Sequence, residues 1–175
     1  MGWIGRSSRE RRDAEFTEYA AARAARLRET AYLLCGDWHR AQDLTQTTLA
    51  KLYVVWPRIE RSEAIDAYAR KVLTNEYLGY RRRRSSSERV MEEMPETAAW
   101  PEEHDLRLTL LQALERLTPT KRAVVVLRYW EDHSIETVAD MLNMSAPAVK
   151  SASLRALADL RVVLGADFLA EMTAA

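Results

Sequence analysis

The segment that decides the fold runs from Ser134 to Leu160 and reads SIETVADMLNMSAPAVKSASLRALADL. It predicts two helices separated by a tight turn over Asn143-Met144-Ser145. Ser134 and Ser145 suit the N-cap position, because a serine hydroxyl accepts a hydrogen bond from a free amide of the first turn. Pro147 is tolerated at the start of the second helix, where the amides have no intrahelical acceptor to lose.

Both predicted helices have an apolar face. At helical spacing these faces consist of Ile135, Val138, Ala139 and Leu142 in the first helix and of Val149, Ser153, Ala156 and Leu160 in the second. The opposite face of the second helix carries Lys150, Ser151, Leu154 and Arg155. This is the helix-turn-helix pattern, whose second helix enters the major groove of DNA. From this segment alone, an ordinary helical hairpin remains the alternative.

Composition places the chain among helix-rich globular proteins. Its 175 residues are 47% hydrophobic and 30% charged with only five glycines, which allows one medium domain or two small ones. No membrane insertion is expected, because no run approaches the roughly 20 apolar residues of a membrane span. No apolar segment follows the basic N-terminus, so a secretory signal is not expected either. The single cysteine, Cys35, favours a reducing, cytoplasmic location and should be a small buried side chain.

The formal net charge is zero, but the charges are unevenly distributed. Residues 1–85 contain 17 basic and 11 acidic side chains, whereas residues 86–105 contain one basic and seven acidic side chains. Residues 106–175 contain eight of each. These counts predict a basic N-terminal part, an acidic linker and a neutral C-terminal part.

Three helices are predicted before the acidic linker. The spacing of apolar residues places them at Asp13–Leu34, Trp38–Trp56 and Ser62–Arg82. Gly36 can end the first helix and Asp37 can cap the second, which Pro57 stops. Ser62 is the expected cap of the third helix.

Two helices are predicted between the linker and the helix-turn-helix. They cover Leu106–Leu117 and, after the helix start Thr118-Pro119, the nearly all-apolar run Ala123–Trp130. The three valines of this run favour a strand, but its helical neighbours favour a buried helix. The expected fold class is therefore all-α, with two small helical domains at residues 13–84 and 106–165. An acidic flexible linker at residues 85–105 would join them.

Three segments in this order resemble a bacterial RNA polymerase sigma factor of the extracytoplasmic-function (ECF) type, within its actinobacterial SigE-like subfamily. They are LLCGDWHRAQDLTQTTLAKLY, DAYARKVLTNEYLGYRRRR and LTPTKRAVVVLRYWEDHSIETVADMLNMSAPAVKSASLRALADLR. The resemblance covers about residues 13–162. It implies that the first domain is sigma region two, that the second is region four, and that a short linker replaces region three.

The resemblance implies that the chain binds core RNA polymerase. Asp43, Leu44 and Gln46 would dock on the clamp helices of the polymerase β′ subunit, and the β flap would be a second contact. A solvated helix face is the alternative for these residues, and Thr47 departs from the glutamate that the family often has there. The acidic linker would thread through the polymerase or act only as a solvated spacer. An anti-sigma factor is implied as a regulator.

The third helix resembles the segment that opens and reads the minus-ten promoter element. Tyr68 would replace base stacking and Asn75 would contact a flipped base, with a core position as the alternative for Tyr68. Phosphates would be neutralised by Arg81, Arg82, Arg83 and Arg84, unless these form only a solvated charge run.

In region four, the resemblance implies that the second helix of the helix-turn-helix reads the minus-thirty-five element. Lys150, Ser151 and Arg155 would supply contacts to bases and phosphates in the major groove. Ala152 stands where many relatives carry arginine or glutamine, so this helix is less basic than usual in the family.

Other classes of function explain less of the sequence. His39, His104 and His133 match no metal-ligand spacing or catalytic triad, and there is no glycine-rich phosphate loop. No catalytic residue, metal or cofactor is therefore expected. A stand-alone helix-turn-helix regulator would explain Ser134–Leu160 but not the other two segments, and an all-helical adaptor would make no DNA contacts.

Overall fold

The computed structural model describes residues 3–58, 62–86 and 104–165. Every regular element within these ranges is helical, which confirms the all-α class. The helices are α1 (Trp3–Cys35), α2 (Trp38–Val55), α3 (Ser62–Ser86), α4 (His104–Glu115), α5 (Pro119–Val125), α6 (Ile135–Leu142) and α7 (Ala146–Leu164). We call α1–α3 the N-terminal domain and α4–α7 the C-terminal domain. None of the described helices combines the length and the apolar character needed to cross a membrane.

The N-terminal domain packs its three helices around one apolar core. Its buried members are Leu27, Ala31 and Leu34 of α1, Leu44, Leu49 and Leu52 of α2, and Ile65, Ala69, Leu73 and Tyr77 of α3. In α1 and α3 these positions recur every three or four residues, so each of these helices presents one apolar stripe to its neighbours. In α2 the buried face also contains Ala41, and the buried Thr45 and Thr48 lie between Leu44 and Leu49. Apolar spacing therefore locates most of this core.

Several helix ends differ from the prediction, and the start of α1 and the end of α3 differ most. α4 covers His104–Glu115 where the prediction was Leu106–Leu117. α1 begins at Trp3, ten residues before the predicted start at Asp13, and its early turns contain the pairs Arg9–Asp13 at 3.9 Å and Arg11–Glu15 at 3.8 Å. Such i,i+4 pairs support a helix without any apolar stripe, so periodicity could not reveal this extension. α3 begins at Ser62 itself and continues to Ser86, four residues beyond the predicted end.

Several predicted caps are present. Asp37 accepts a hydrogen bond from the amide of Arg40 at 2.6 Å, and Gly36 before it has a φ of 74°, which favours glycine. Thr118 accepts from the amide of Lys121 at 3.4 Å, with Pro119 at the start of α5. α2 ends at Val55 and is followed by a 3₁₀ turn that contains Pro57.

The C-terminal domain contains a π-helical turn between α5 and α6. This turn covers Val126–Trp130, and it is closed by a hydrogen bond from the amide of Glu131 to the carbonyl of Val126 at 3.1 Å. The predicted helix over Ala123–Trp130 is therefore confirmed as helical, with a change of pitch that the sequence did not predict. Its Val124 and Leu127 are buried, whereas Trp130 at its end is exposed.

The two domains pack against each other along α1 and α3. Ala123 and Val126 of the C-terminal domain belong to the core of the N-terminal domain. Arg122 is buried beside them, and its Nε donates to the carbonyl of Leu33 at 2.6 Å. Burial lowers the pKa of the Arg122 guanidinium. We refer to this packed arrangement as the closed conformation.

Two predicted segments lie largely outside the described residues. They are the acidic linker, of which residues 87–103 are not described, and the chain after Gly165.

Candidate nucleic-acid interface

The helix-turn-helix forms as predicted. Ser134 accepts from the amide of Thr137 at 3.0 Å, and Ser145 accepts from the amide of Ala148 at 3.3 Å. Between the two helices, Asn143 has a φ of 53° and ends α6 in the left-handed conformation. An asparagine tolerates this conformation better than most residues, which explains the tight turn.

α7 separates its buried and exposed faces as the sequence predicted. The buried positions are Val149, Ser153, Ala156 and Leu160. Lys150 and Arg155 are exposed and Ser151 is half-buried on the remaining surface. A helix with two exposed cations beside a hydroxyl can donate hydrogen bonds to phosphates and to guanine edges in a major groove.

α3 carries the second group of predicted DNA contacts. Tyr68 is 39% exposed, and the core position that was the alternative for it is taken by its neighbour Ala69, which is fully buried. Asn75 donates from Nδ2 to the main-chain carbonyl of Met141 at 3.3 Å. In the closed conformation this predicted base contact is therefore engaged by the C-terminal domain.

The basic run at the end of α3 is helical and exposed. Its members Arg81, Arg82, Arg83 and Arg84 continue α3 beyond the core. The guanidinium of Arg84 lies against the hydroxyl of Tyr80 at 3.1 Å. Successive residues of a helix point in different directions, so this run spreads its charge around the helix axis.

α2 exposes two of the three residues predicted to bind the polymerase. Asp43 and Gln46 are exposed, and Asp43 lies 3.7 Å from Arg40. Leu44 is only 6% exposed because it belongs to the apolar core of the N-terminal domain. The prediction that Leu44 offers its side chain to a partner therefore needs correction, since this side chain packs inside the domain and supports the helix.

The structure also places together residues that the sequence analysis did not identify. Glu131, directly after the π-helical turn, is buried against Arg26 and Thr30 of α1 and Arg70 of α3. No periodic signal joins residues that lie 61 to 105 positions apart. Glu131 follows the π-helical turn, which the sequence pattern did not predict, and it reaches this place through the packing of the two domains.

The fold and the exposed surface define a two-domain helical protein with a DNA-binding helix-turn-helix. Comparison with known proteins identifies the family. The profile described as Sigma-70 region 2 matches residues 16–87, and the one described as Sigma-70, region 4 matches residues 107–160. The RNA polymerase sigma-E factor of Streptomyces coelicolor is 43% identical over 84% of this chain and 84% of that protein. The corresponding factor of Streptomyces avermitilis is 41% identical over 84% and 83%.

Solved structures show the same fold. The sigma factor RpoE in complex with the anti-sigma factor NepR from Bartonella quintana is 25% identical, with a TM-score of 0.73 over 87% of this chain and 98% of that chain. CnrH in complex with the cytosolic domain of CnrY is 22% identical, with a TM-score of 0.63 over 89% and 90%. The chain belongs to the RNA polymerase sigma factors of the ECF type, whose members are transcription initiation factors.

Proposed function

We propose that this sigma factor binds core RNA polymerase, brings it to a specific set of promoters and nucleates their melting. The observation that carries this proposal is the orientation of α7, which buries Val149 and Ala156 and leaves Lys150 and Arg155 in solvent. A capped helix with an exposed basic face fits the major groove and has no evident use in an adaptor. The polymerase would supply the chemistry, so the chain needs no catalytic residue of its own.

Each domain has its own promoter element in this proposal. Lys150, Ser151 and Arg155 would contact the minus-thirty-five element. On α3, Tyr68 would stack on an unpaired base of the minus-ten element and Asn75 would hydrogen-bond to another. Phosphates would be neutralised by Arg81, Arg82, Arg83 and Arg84.

The polymerase would be bound mainly by α2. Asp43 and Gln46 would contact the β′ clamp helices. The buried Leu44 would hold α2 against the core of the N-terminal domain. Region four would contact the β flap. Regions two and four would correspond to residues 13–84 and 106–165, with residues 85–105 between them. Because the polymerase and the DNA lie in the cytoplasm, the protein would act there.

An anti-sigma factor would be a further partner. One similar solved structure, the sigma factor RpoE with the anti-sigma factor NepR, is a complex of this kind. A partner that covers the exposed face of α2 would block docking on the polymerase, and one inserted between the domains would hold α3 and α7 away from DNA.

Run-off transcription with purified core polymerase, on a pool of promoter fragments from the host, tests the proposal. Discrete transcripts are expected, and the double substitution D43A/Q46A should abolish them because it removes the exposed polar groups of α2. The substitution K150A/R155A should lower transcription about tenfold or more, since each lost base contact costs about 1–3 kcal/mol.

Matched controls separate these effects from a general loss of charge. Glu18 is exposed on α1, and Arg116 is exposed after α4. The variants E18A and R116A should transcribe like the natural chain. If no transcripts form and the chain alone binds duplex DNA tightly, it acts as a stand-alone regulator and the proposed function is wrong.

A further inference from the structure

The carboxylate of Glu131 is buried between the two domains, with only 2% of its side chain exposed. Arg70 of α3 donates from Nε to one carboxylate oxygen. The Thr30 hydroxyl of α1 lies within hydrogen-bond distance of the other oxygen and also 3.0 Å from the carbonyl of Arg26, so these two acceptors share its one hydrogen. Arg26 of α1 places its Nε 3.6 Å from the oxygen that Thr30 contacts. Arg26 also donates to the carbonyl of Trp130 at 3.0 Å and lies over the Trp130 ring.

These contacts outline an anion site that belongs to the N-terminal domain. Two guanidinium groups and a hydroxyl converge on one position, which only a hydrogen-bond acceptor can fill. Asp66 lies one turn before Arg70 on α3, but its carboxylate is engaged by Tyr19 at 3.0 Å and by Arg23 at 3.1 Å. Arg26 also lies 4.0 Å from the carboxylate of Glu29 on its own helix, whereas the ion pair of Arg70 among the described residues is the one with Glu131. Without Glu131 the site would therefore keep the unpaired positive charge of Arg70.

Neighbouring side chains of α3 also meet acceptors of the C-terminal domain, although at the surface of the molecule. Lys71 lies 3.0 Å from a carboxylate oxygen of Asp140, and Asn75 donates to the carbonyl of Met141. Together with Glu131, the C-terminal domain sets an oxygen acceptor against each of three successive polar side chains of this helix face. A nucleic-acid strand offers the same acceptors as phosphate and base oxygens.

We propose that Arg26, Thr30 and Arg70 form a phosphate-binding site for the promoter strand, which the Glu131 carboxylate occupies in the closed conformation. The proposal rests on the proposed function, because α3 must be the helix that meets the minus-ten element. Arginine pairs bind phosphate and carboxylate oxygens with the same planar geometry, so one anion can replace the other. Glu131 is then an internal competitor that limits DNA binding by the free chain.

The test measures DNA binding by the full chain without polymerase. The probe is a fluorescein-labelled single-stranded DNA of 20 nucleotides and mixed sequence, titrated by fluorescence anisotropy between 50 and 200 mM KCl. The variant E131Q should bind more tightly than the natural chain at each salt concentration. The slope of log affinity against log salt should become steeper by about 0.7, which is the value for one added phosphate contact on a single strand.

A matched control and a double variant make the result specific. Asp132 is exposed beside Glu131, so D132N removes the same charge and should bind like the natural chain. In E131Q/R70Q the slope should return to that of the natural chain, because the phosphate contact is lost. If E131Q and E131Q/R70Q share the steeper slope, Glu131 only holds the domains together and the phosphate site is refuted.

Two further variants keep the test informative if E131Q folds poorly. E131D keeps the negative charge in the site but shortens the side chain, so its slope should lie between those of the natural chain and E131Q. Arg26 is 43% exposed, so E131D/R26Q is not expected to disturb the core and should again lose the added slope. An unchanged slope in E131D would contradict the proposal. Because no polymerase is present, this result is independent of run-off transcription.

Discussion

At the scale of single residues, burial sets the chemistry of Cys35. Its thiol donates to the carbonyl of Asp37 at 3.2 Å, and the side chain packs against the core of the N-terminal domain. Burial raises the pKa of the thiol from 9.0 to about 11. The nucleophilic thiolate is thus rare at neutral pH.

Alkylation of Cys35 by iodoacetamide at pH 8 should therefore be slow in the folded chain. We expect a rate about 100-fold below that of the chain unfolded in urea, since two pKa units change the thiolate fraction by that factor. The rate is followed by mass spectrometry, with the urea-unfolded chain as the reference. Rates within a few-fold of each other would contradict the assigned burial.

Sequence reasoning at this scale succeeded where a residue's environment is local. The serine and aspartate caps and the exposed cations of α7 follow from neighbours within one turn. For Leu44 the apolar spacing of α2 predicts a core position and the resemblance implies a contact with the polymerase, and the structure shows the core position. It also missed Glu131, whose partners Arg26 and Arg70 are distant in sequence and meet only through packing of the domains.

At the scale of elements, the start of α2 depends on Asp37. Substitution D37A removes the acceptor for the Arg40 amide and should lower the free energy of unfolding by about 1 kcal/mol. D37N keeps a side-chain oxygen at the cap and should be close to the natural chain. Urea unfolding followed by circular dichroism measures both. Equal losses in the two variants would show that the charge matters and the cap does not.

The extent of the elements was predictable where an apolar stripe defined them. The helices whose buried faces form the apolar clusters lie near their predicted places. Residues 6–12 of α1 and the last turn of α3 consist of charged residues and serines. Their helical state is supported by i,i+4 pairs in α1 and by continuation from the packed part of each helix. Periodicity carries no information about such extensions.

At the scale of the whole molecule, we expect the stability of the folded chain to depend on pH through His133. Its Nε2 is buried without a hydrogen-bond partner among the described residues. Burial lowers the pKa of His133 below 6.5, and nearby Arg70 lowers it further, against the opposing charges of Glu131 and Asp132. The unfolded chain therefore binds a proton more readily than the folded chain.

The sign of the effect follows from this difference. The contribution of His133 to stability is complete above pH 6.5 and is lost as the pH falls below that value. We expect the free energy of unfolding of the natural chain to decrease more between pH 7.5 and pH 5.5 than that of H133Q. Urea titrations at both pH values measure it. The same decrease in both chains would assign the pH dependence to other groups.

Contacts between the domains were the least predictable part of the molecule. The resemblance identified both domains and their order, but no pattern in the sequence states how they pack. That arrangement rests on Arg122 reaching Leu33, on Lys71 meeting Asp140 and on the burial of Glu131. The first two are polar contacts between residues at least 69 positions apart, and the third is a buried charge. Features of these two kinds produce no periodic pattern in the sequence.

The π-helical turn over Val126–Trp130 has a consequence for insertions and deletions in this chain. A π-helical turn accommodates one residue more than an α-helical turn, so deleting one residue from it would restore a regular helix. Glu131 would keep its side of the helix after such a deletion, because its amide bonds to the Val126 carbonyl across five residues where an α-helical turn spans four. A one-residue deletion in the regular turns of α5 would instead rotate every following position, Glu131 included, by about 100°. The π-helical turn is therefore a place where the chain can lose one residue and still direct Glu131 towards Arg70.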